Sequence, residues 1–415
     1  MRILYLHQYF VTRAGIGGTR SYEFSRYLVK QGHQVTMVTA SGKSGTNVSR
    51  SASSQDIDGI DVVEVPAGYS DYFRGTTLGR FARILAFFKF ALASSVTVLR
   101  LPKPDVVFAT STPLTIGIPA LLASKYHRVP LVFEVRDLWP EAPIQMGVLR
   151  SSFMIWCARW LERTIYANSA HVVALSPGMR EGIIATGVSP TCVSMIPNAS
   201  DLDVFSPAVD GAACRDRLGL NGHFICSYFG AMGEANDLTQ VVEAADLLDK
   251  RGVNDVRFVL HGAGKRRPEL EAFCRDRKLT NVVFSDPVPD KHVIASLAAA
   301  SDVCMTIYKN VSILYTCSPN KLFDTFAAGR PAIVNSPGWL RELVEEHEAG
   351  LYVHPDDPAH LAERILFLRD HPETTQAYGR NARLLAEQHF DRNILAAQLL
   401  AIFEGTISSR SNSES

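Results

Sequence analysis

Three things are missing from this chain of 415 residues: paired cysteines, a net charge and a long apolar run. Seven cysteines stand at 157, 192, 214, 226, 274, 304 and 317, an odd count with no Cys-x-x-Cys pair. That excludes a disulfide framework and a structural zinc site, and points to a reducing compartment. Lys+Arg and Asp+Glu both total 42, so there is no global basic field and nucleic acid is not an expected partner. Any bound anion must be held by a local site. The opening Met1–Gln8 is apolar over too short a stretch to be a signal peptide. The longest apolar region, Phe81–Leu99, is interrupted by Arg83 and Lys89, so no bilayer span is expected. There is also no cluster of Asp and His at the spacing of a divalent-cation site.

What is present is a globular composition, 47% hydrophobic and 20% charged, long enough for two domains of about 150–200 residues. Short β-rich runs alternate with helical patterns. Ile3–Leu6, Val35–Thr39, Val106–Ala109, Leu131–Val135, His171–Leu175 and Cys192–Ile196 read as strands, with a helix over Ser21–Gln31 closed by Gly32. The pattern then restarts at Ile225–Phe229, Arg257–Leu260, Val282–Ser285, Val303–Ile307 and Ala332–Asn335, with helices over Leu238–Lys250 and Pro268–Arg277. Continuous apolar strands between helices predict parallel sheets covered on both faces. Pro197–Asp201 and Phe205–Pro207 mark a linker. The expectation is an α/β chain of two doubly wound domains facing each other across a cleft, 1–204 and 205–407. Ser41–Gln55, rich in Ser and Gly, is expected to be a mobile loop, and 408–415 a disordered tail.

In parallel sheets ligands sit beyond the strands' carboxyl ends, so the loops there are searched first. Gly15-Ile16-Gly17-Gly18 follows the first strand and precedes a helix; it is either a tight turn or a loop that lets backbone approach a phosphate. His261–Lys265 lacks the Walker spacing, which excludes an ATPase loop; Gly262 and Gly264 are expected in a ligand-facing turn. Ser318–Pro331 opens a helix near Asn320 and stops at Gly329. Lys321 and Asp324, three apart, share a face near the helix start: one reading is a diphosphate contact and a sugar-hydroxyl acceptor, the other an ordinary salt bridge with a cap. Glu134, Arg136, Asp137 and Glu141 crowd behind an apolar strand, as a polar site or as a local ion-pair network.

Several of these motifs, over nearly the whole chain, resemble the retaining glycosyltransferases of the GT-B fold, family 4, and among them the WbuB-like transferases of bacterial surface polysaccharide. The resemblance is carried by Gly17-Gly18, Gly32-His33-Gln34-Val35, Arg136–Pro140, Ser176–Met179, Ile196-Pro197-Asn198, Ser318–Pro331, Gly338–Glu342 and Ala349-Gly350-Leu351. It implies two Rossmann-like domains, the second binding a nucleotide sugar and the last helix packing back on the first. It implies donor contacts from Gly17, Gly18, Gly230, Lys265, Ser318, Asn320, Lys321 and Asp324, with Asp324 toward the ribose and Lys321 toward the diphosphate. Thr316 stands where the family's first paired acid falls, so Ser318 or Asn320 takes its sugar contact. Arg136 stands where many members have histidine, beside Asp137; with Glu141 these are the candidates for orienting donor and acceptor. The implied chemistry uses no metal, no cofactor and no covalent nucleophile.

The resemblance further implies transfer from a UDP-hexosamine to a polyprenyl-diphosphate-linked or saccharide acceptor. The competing functions are a sugar-nucleotide epimerase of the same fold, whose motifs are not these, and an NAD-linked oxidoreductase, for which a clean glycine fingerprint is missing. Leu78–Leu101, with Arg80, Arg83 and Lys89 among its aromatics, reads either as an interfacial helix on the anionic inner leaflet or as a helix packed on the sheet. Phe153, Trp156 and Trp160, near Arg150, Arg159 and Arg163, extend the interfacial reading. That reading places the protein in the cytoplasm, peripherally on the inner membrane face.

Overall fold

The computed structural model describes residues 1–15, 17–41, 53–67 and 80–414. Its contacts divide the chain into two units: Met1–Thr12, Gly17–Pro197 and Asn393–Ser415 form the first, Arg13–Ile16 and Asn198–Arg392 the second. In the first unit the strands are β1 (Arg2–Leu6), β2 (Gln34–Ala40), β3 (Ser53–Ile57), β4 (Ile60–Val65), β5 (Val106–Thr110), β6 (Leu131–Val135), β7 (His171–Ala174) and β8 (Val193–Met195). They form one sheet in the order β3-β4-β2-β1-β5-β6-β7-β8, parallel except where β3 meets β4. β5 and β6 are buried at every position, as strands covered on both faces must be. The chain winds outward from β1 in one direction, then crosses to β5 and winds in the other, so the switch point lies between β1 and β5.

The second unit holds β9 (Phe224–Phe229), β10 (Val256–His261), β11 (Val282–Ser285), β12 (Val303–Thr306), β13 (Ala332–Val334) and β14 (Gly350–Tyr352), all parallel, in the order β11-β10-β9-β12-β13-β14. Its switch point lies between β9 and β12. Alternate residues of one strand serve opposite cores: Ile225 and Phe229 join one apolar cluster, Cys226 and Tyr228 the other. Tyr228, at the end of β9, thereby points into the layer holding Met232 and Leu238.

The structure differs from the sequence expectations at several places. Of the loop expected over 41–55, residues 42–52 lie outside the described residues, and Ser53–Gln55 begin β3. Asp58 and Gly59 both take positive φ, 53° and 82°, the two-residue turn that pairs β3 with β4; the Asp-Gly dipeptide between them is the hairpin signal. The division between units falls after Pro197 and not at 204, because Asn198 hydrogen-bonds Ser318 through its backbone N–H and its side-chain amide (3.0 and 2.6 Å). Val204 and Phe205 are already part of the second unit's core. The tail read as disordered from 408 continues a helix over Arg392–Glu414. This helix is anchored upstream by buried Leu399 and by Phe403, whose ring meets Phe108 at 5.2 Å, and once anchored it gains one bond per added residue.

Candidate functional site

In the second unit, the residues that could carry chemistry converge on the β9–β12 switch point. Asn320–Ala327 form the helix that presents Lys321 and Asp324. Lys321 Nζ donates to the Tyr228 hydroxyl at 2.7 Å and to Asn236 Oδ1 at 3.1 Å, and it lies 4.1 Å from the Tyr228 ring centroid and 5.9 Å from that of Tyr308. Tyr228 is the last residue but one of β9 and Tyr308 lies two residues past β12, so the two neighbouring parallel strands themselves frame the lysine. Burial pushes its ammonium down to about 7, with the Cys317 thiol opposing that shift. Gly230 flanks it: a Cβ there would stand 3.4 Å from Nζ. The glycine's φ of +141° is one that side chains resist.

Asp324 lies among different groups. Burial pushes its carboxyl up to about 6, Lys291 and Arg392 oppose that rise, and Asp201 adds to it. Asp201 in turn pairs with Arg13 (2.9 Å) and Arg392 (2.8 Å). Lys321 and Asp324 therefore do not act as the i,i+3 salt bridge their spacing allows, and the helix N-cap, Pro319, supplies no side-chain cap. Ser318 is buried, with its hydroxyl accepting from Asn198 N and its carbonyl from Asn198 Nδ2. Asn320 opens the helix half-buried. Lys265 is exposed and paired with Glu234 at 3.2 Å. Gly262 and Gly264 serve close backbone packing: a Cβ on either would fall 1.9 Å from Gly230 O or 2.3 Å from Met232 O.

In the first unit, the charged residues read as one cluster separate into three. Glu134 is fully buried and belongs to the core: Arg20 Nε reaches its Oε1 at 2.9 Å and Thr110 its Oε2 at 2.6 Å. The same guanidinium donates to Ile196 O and Pro197 O (2.9 and 2.5 Å). Arg136 and Asp137 stay at the carboxyl ends beside the β1–β5 switch point. Arg136 N bonds Ser111 Oγ at 3.0 Å, and Asp137 Oδ2 accepts from Thr112 Oγ1 at 2.9 Å. Burial raises the Asp137 carboxyl, against Thr112 and Arg136. Glu141 turns outward to Arg159 at 3.4 Å, both side chains largely exposed. Gly17, exposed at φ +141°, and half-buried Gly18 precede the helix Arg20–Lys30.

Tyr228 and Tyr308 around Lys321 escaped the sequence reading, and so did one residue of the first unit. His7, buried just past β1, contacts Arg136 Nη1 through Nε2 (3.4 Å) and Ser21 Oγ through Nδ1 (2.7 Å). Burial, then the neighbouring Arg136, drives its pKa well down, so the ring is neutral and Nε2 accepts while Nδ1–H donates. A histidine immediately after a first strand was the available signal. Among the described residues no group of three or more His, Cys, Asp or Glu is placed to hold a metal ion.

Polar groups gathered at the carboxyl ends of parallel strands, beside a strand-order reversal, define an α/β ligand-binding enzyme built on two such sheets. The glycosyl transferase 4-like domain model matches residues 17–199, and the glycosyl transferases group 1 model matches residues 223–371. The chain thus belongs to the glycosyltransferases of the GT-B fold, enzymes that take their sugar from a nucleotide-sugar donor. It is 25% identical over 404 residues to WcaI of Escherichia coli K12, a glycosyl transferase named for colanic acid biosynthesis, covering 92% of this chain and 95% of that one. Among solved structures it resembles in fold the sucrose-phosphate synthase of Thermosynechococcus elongatus (TM-score 0.76, 18% identity, 98% and 99% of the two chains). It also resembles Anabaena HepE in complex with UDP-glucose (TM-score 0.69, 19% identity, 99% and 100%).

Proposed function

We propose that this glycosyltransferase is a retaining enzyme that moves a hexosyl group, a hexosamine in our reading, from a UDP-sugar to a polyprenyl-diphosphate-linked or saccharide acceptor in bacterial surface-polysaccharide synthesis. The observation that carries the reading is Lys321, whose half-buried ammonium is held by a phenol and an amide and, among the described residues, by no carboxylate. A cation so placed suits a diphosphate, which supplies the missing negative charge. Asp324 accepts from the ribose hydroxyls, and Gly230 lets the donor lie against the backbone. Ser318, Asn320, Gly17, Gly18 and Lys265 remain assigned to the donor, the last as a rim charge.

In the transfer the bond from C1 to the diphosphate oxygen breaks and a bond from C1 to the acceptor oxygen forms on the same face. The acceptor's proton passes to the departing diphosphate. Lys321 stabilises the charge that develops there, and Arg136 and Asp137 orient donor and acceptor, with Glu141 contributing only from the surface. The WcaI name supports a surface-polysaccharide role, and the UDP-glucose complex of HepE supports a UDP-sugar donor.

The acceptor is proposed to be met at the inner membrane face. Among the described residues no helix is long and apolar enough to cross a membrane. The helix Arg80–Val98 packs against Gly117–His127, which packs against Ser152–Ala167. Each turns large apolar side chains outward, among them Leu85, Phe88 and Leu92, Leu122 and Tyr126, and Phe153, Trp156 and Trp160. Three adjoining helices with such faces, beside Lys89, Arg150 and Arg163, suit an anionic bilayer surface.

A panel of nucleotide sugars, incubated with lipid-diphosphate-linked and free saccharide acceptors, tests the reading through released UDP and the anomeric configuration of the product. A UDP-hexosamine yielding UDP and an α-linked product is expected, undiminished in EDTA. An epimerised nucleotide sugar without UDP, an inverted linkage, or activity lost in EDTA and restored by magnesium would each overturn the part it addresses.

A further inference from the structure

Lys321 is held in an unusual way, and the manner of its holding has a chemical consequence. Tyr228 is fully buried, and its hydroxyl lies 2.7 Å from Ala231 O. That carbonyl takes the phenol's single proton, so toward Lys321 the oxygen is an acceptor only. Burial raises the phenol's pKa far out of range of ionisation, so it stays neutral. Asn236 contributes a second neutral acceptor. Among the described residues these two are the hydrogen-bond acceptors of the ammonium, leaving one of its three protons for a ligand.

The loop that bears them is fixed by its neighbours. Gly230 N and Met232 N bond His261 O and Ala263 O (3.0 and 2.9 Å), Asn236 N bonds Gly233 O (3.1 Å), and Lys309 N bonds Ala235 O (2.9 Å). The loop's own carboxylates are turned elsewhere: Glu234 to Lys265 and Arg266, Asp237 to Arg266. The titratable groups facing the amine are thus Tyr228 on β9, Tyr308 after β12 and the Cys317 thiol ahead of the helix.

We infer that Tyr228 and Asn236 are positioning residues, which hold Lys321 by neutral acceptors alone so that the donor's diphosphate, on arrival, becomes its counter-charge and draws a proton onto it. The inference rests on the reading of Lys321 as the diphosphate ligand. A carboxylate in place of either acceptor would neutralise the ammonium beforehand. Neutral acceptors aim it without doing so, and burial then leaves its protonation poised near neutrality. Above that point the free amine is largely uncharged, and binding of a dianion must be accompanied by proton uptake.

The test is calorimetric titration of the full chain with UDP at pH 8, in buffers of different ionisation enthalpy, which counts protons taken up, beside the pH profile of donor KM. Wild type is expected to take up most of one proton per UDP. Lys321→Met is expected to take up none and to bind UDP roughly 10- to 100-fold more weakly. Tyr228→Phe and Asn236→Ala should move the alkaline rise of donor KM to lower pH, because each removes an acceptor from the charged form. Asn236→Asp should move it to higher pH and abolish proton uptake. Opposite shifts from Ala and Asp at one position, in variants with wild-type circular dichroism, are not what a merely structural role produces. If Lys321→Met loses UDP affinity while the Tyr228 and Asn236 variants leave proton uptake and the KM profile unmoved, the inference is overturned and the reading of Lys321 stands. If Lys321→Met binds UDP as wild type does, that reading falls as well.

Discussion

Lys321 and Asp324 sit one helical turn apart, and burial pulls both toward neutrality. Burial brings the lysine down to about 7 and the aspartate up to about 6. If Asp324 acts as a carboxylate and Lys321 as an ammonium, donor kcat/KM should fall below about pH 6 and again above about pH 7, since that parameter reports the free enzyme. Asp324→Ala should raise donor KM and remove the acid limb, and Lys321→Ala should remove the alkaline one; limbs that persist in both variants would place the titrating groups elsewhere. The stability of the ligand-free chain carries the same signature. A lysine whose folded pKa is lowered binds fewer protons folded than unfolded between about 7 and its ordinary 10.5, so its cost is fully present below 7 and fades as pH rises through that window. Lys321→Met is therefore expected to raise Tm in thermal scans at pH 6.5, and to do so much less near pH 10.

At the scale of elements, the buried Arg20–Glu134 pair ties the helix Arg20–Lys30 to β6 and to the backbone at Ile196 and Pro197. Both side chains are almost wholly buried. Removing one partner strands a charge, which costs about 3–5 kcal/mol. Arg20→Ala should lose that much in denaturant unfolding, while Glu141→Ala, which breaks only the exposed pair with Arg159, should change stability by about 1 kcal/mol or less. Equal losses would contradict the separation of these two glutamates. The helix Arg80–Val98 divides in the same way. Phe90 is fully buried and Phe87 nearly so, its ring 6.5 Å from Trp139, whereas Phe88 is 56% exposed. Of Phe87, Phe88 and Phe90, Phe88 is the one available to a surface.

For the molecule as a whole, that division sharpens the membrane test. Phe88, Phe153 and Trp156 are exposed at 56%, 72% and 64%, so replacing all three with serine should leave the fold intact. Co-sedimentation with anionic liposomes should be strong for wild type and weak for the triple variant. It should decline with added salt, because each basic residue near such a surface contributes about 1 kcal/mol and ions screen it. A folded variant that sediments like wild type would remove this face from the anchor, and a wild type indifferent to anionic vesicles at low salt would favour a soluble acceptor.

Local pattern alone determined much of this protein. Parallel α/β sheets followed from runs such as Val106–Thr110 and Leu131–Val135, because a strand buried on both faces has to be apolar throughout. The helix end at Gly32 followed likewise, since the left-handed φ of +82° is cheap only for glycine. Lys321 and Asp324 stood out by their place at a helix start after a strand. Strands β3, β4 and β14 went unread: the Asp58-Gly59 turn was an available signal, but β3 is almost entirely polar and exposed, and its pairing is decided by β4 across that turn. Nor did spacing reveal that Glu134 is core, Glu141 surface and Ser318 a partner of Asn198, or that His7 meets Arg136 at a separation of 129 residues. Those outcomes depend on which strand ends lie side by side. Sheet order brings distant residues within hydrogen-bond reach and sets how deeply each is buried, and burial decides whether a charged side chain serves as a structural pair or as a site.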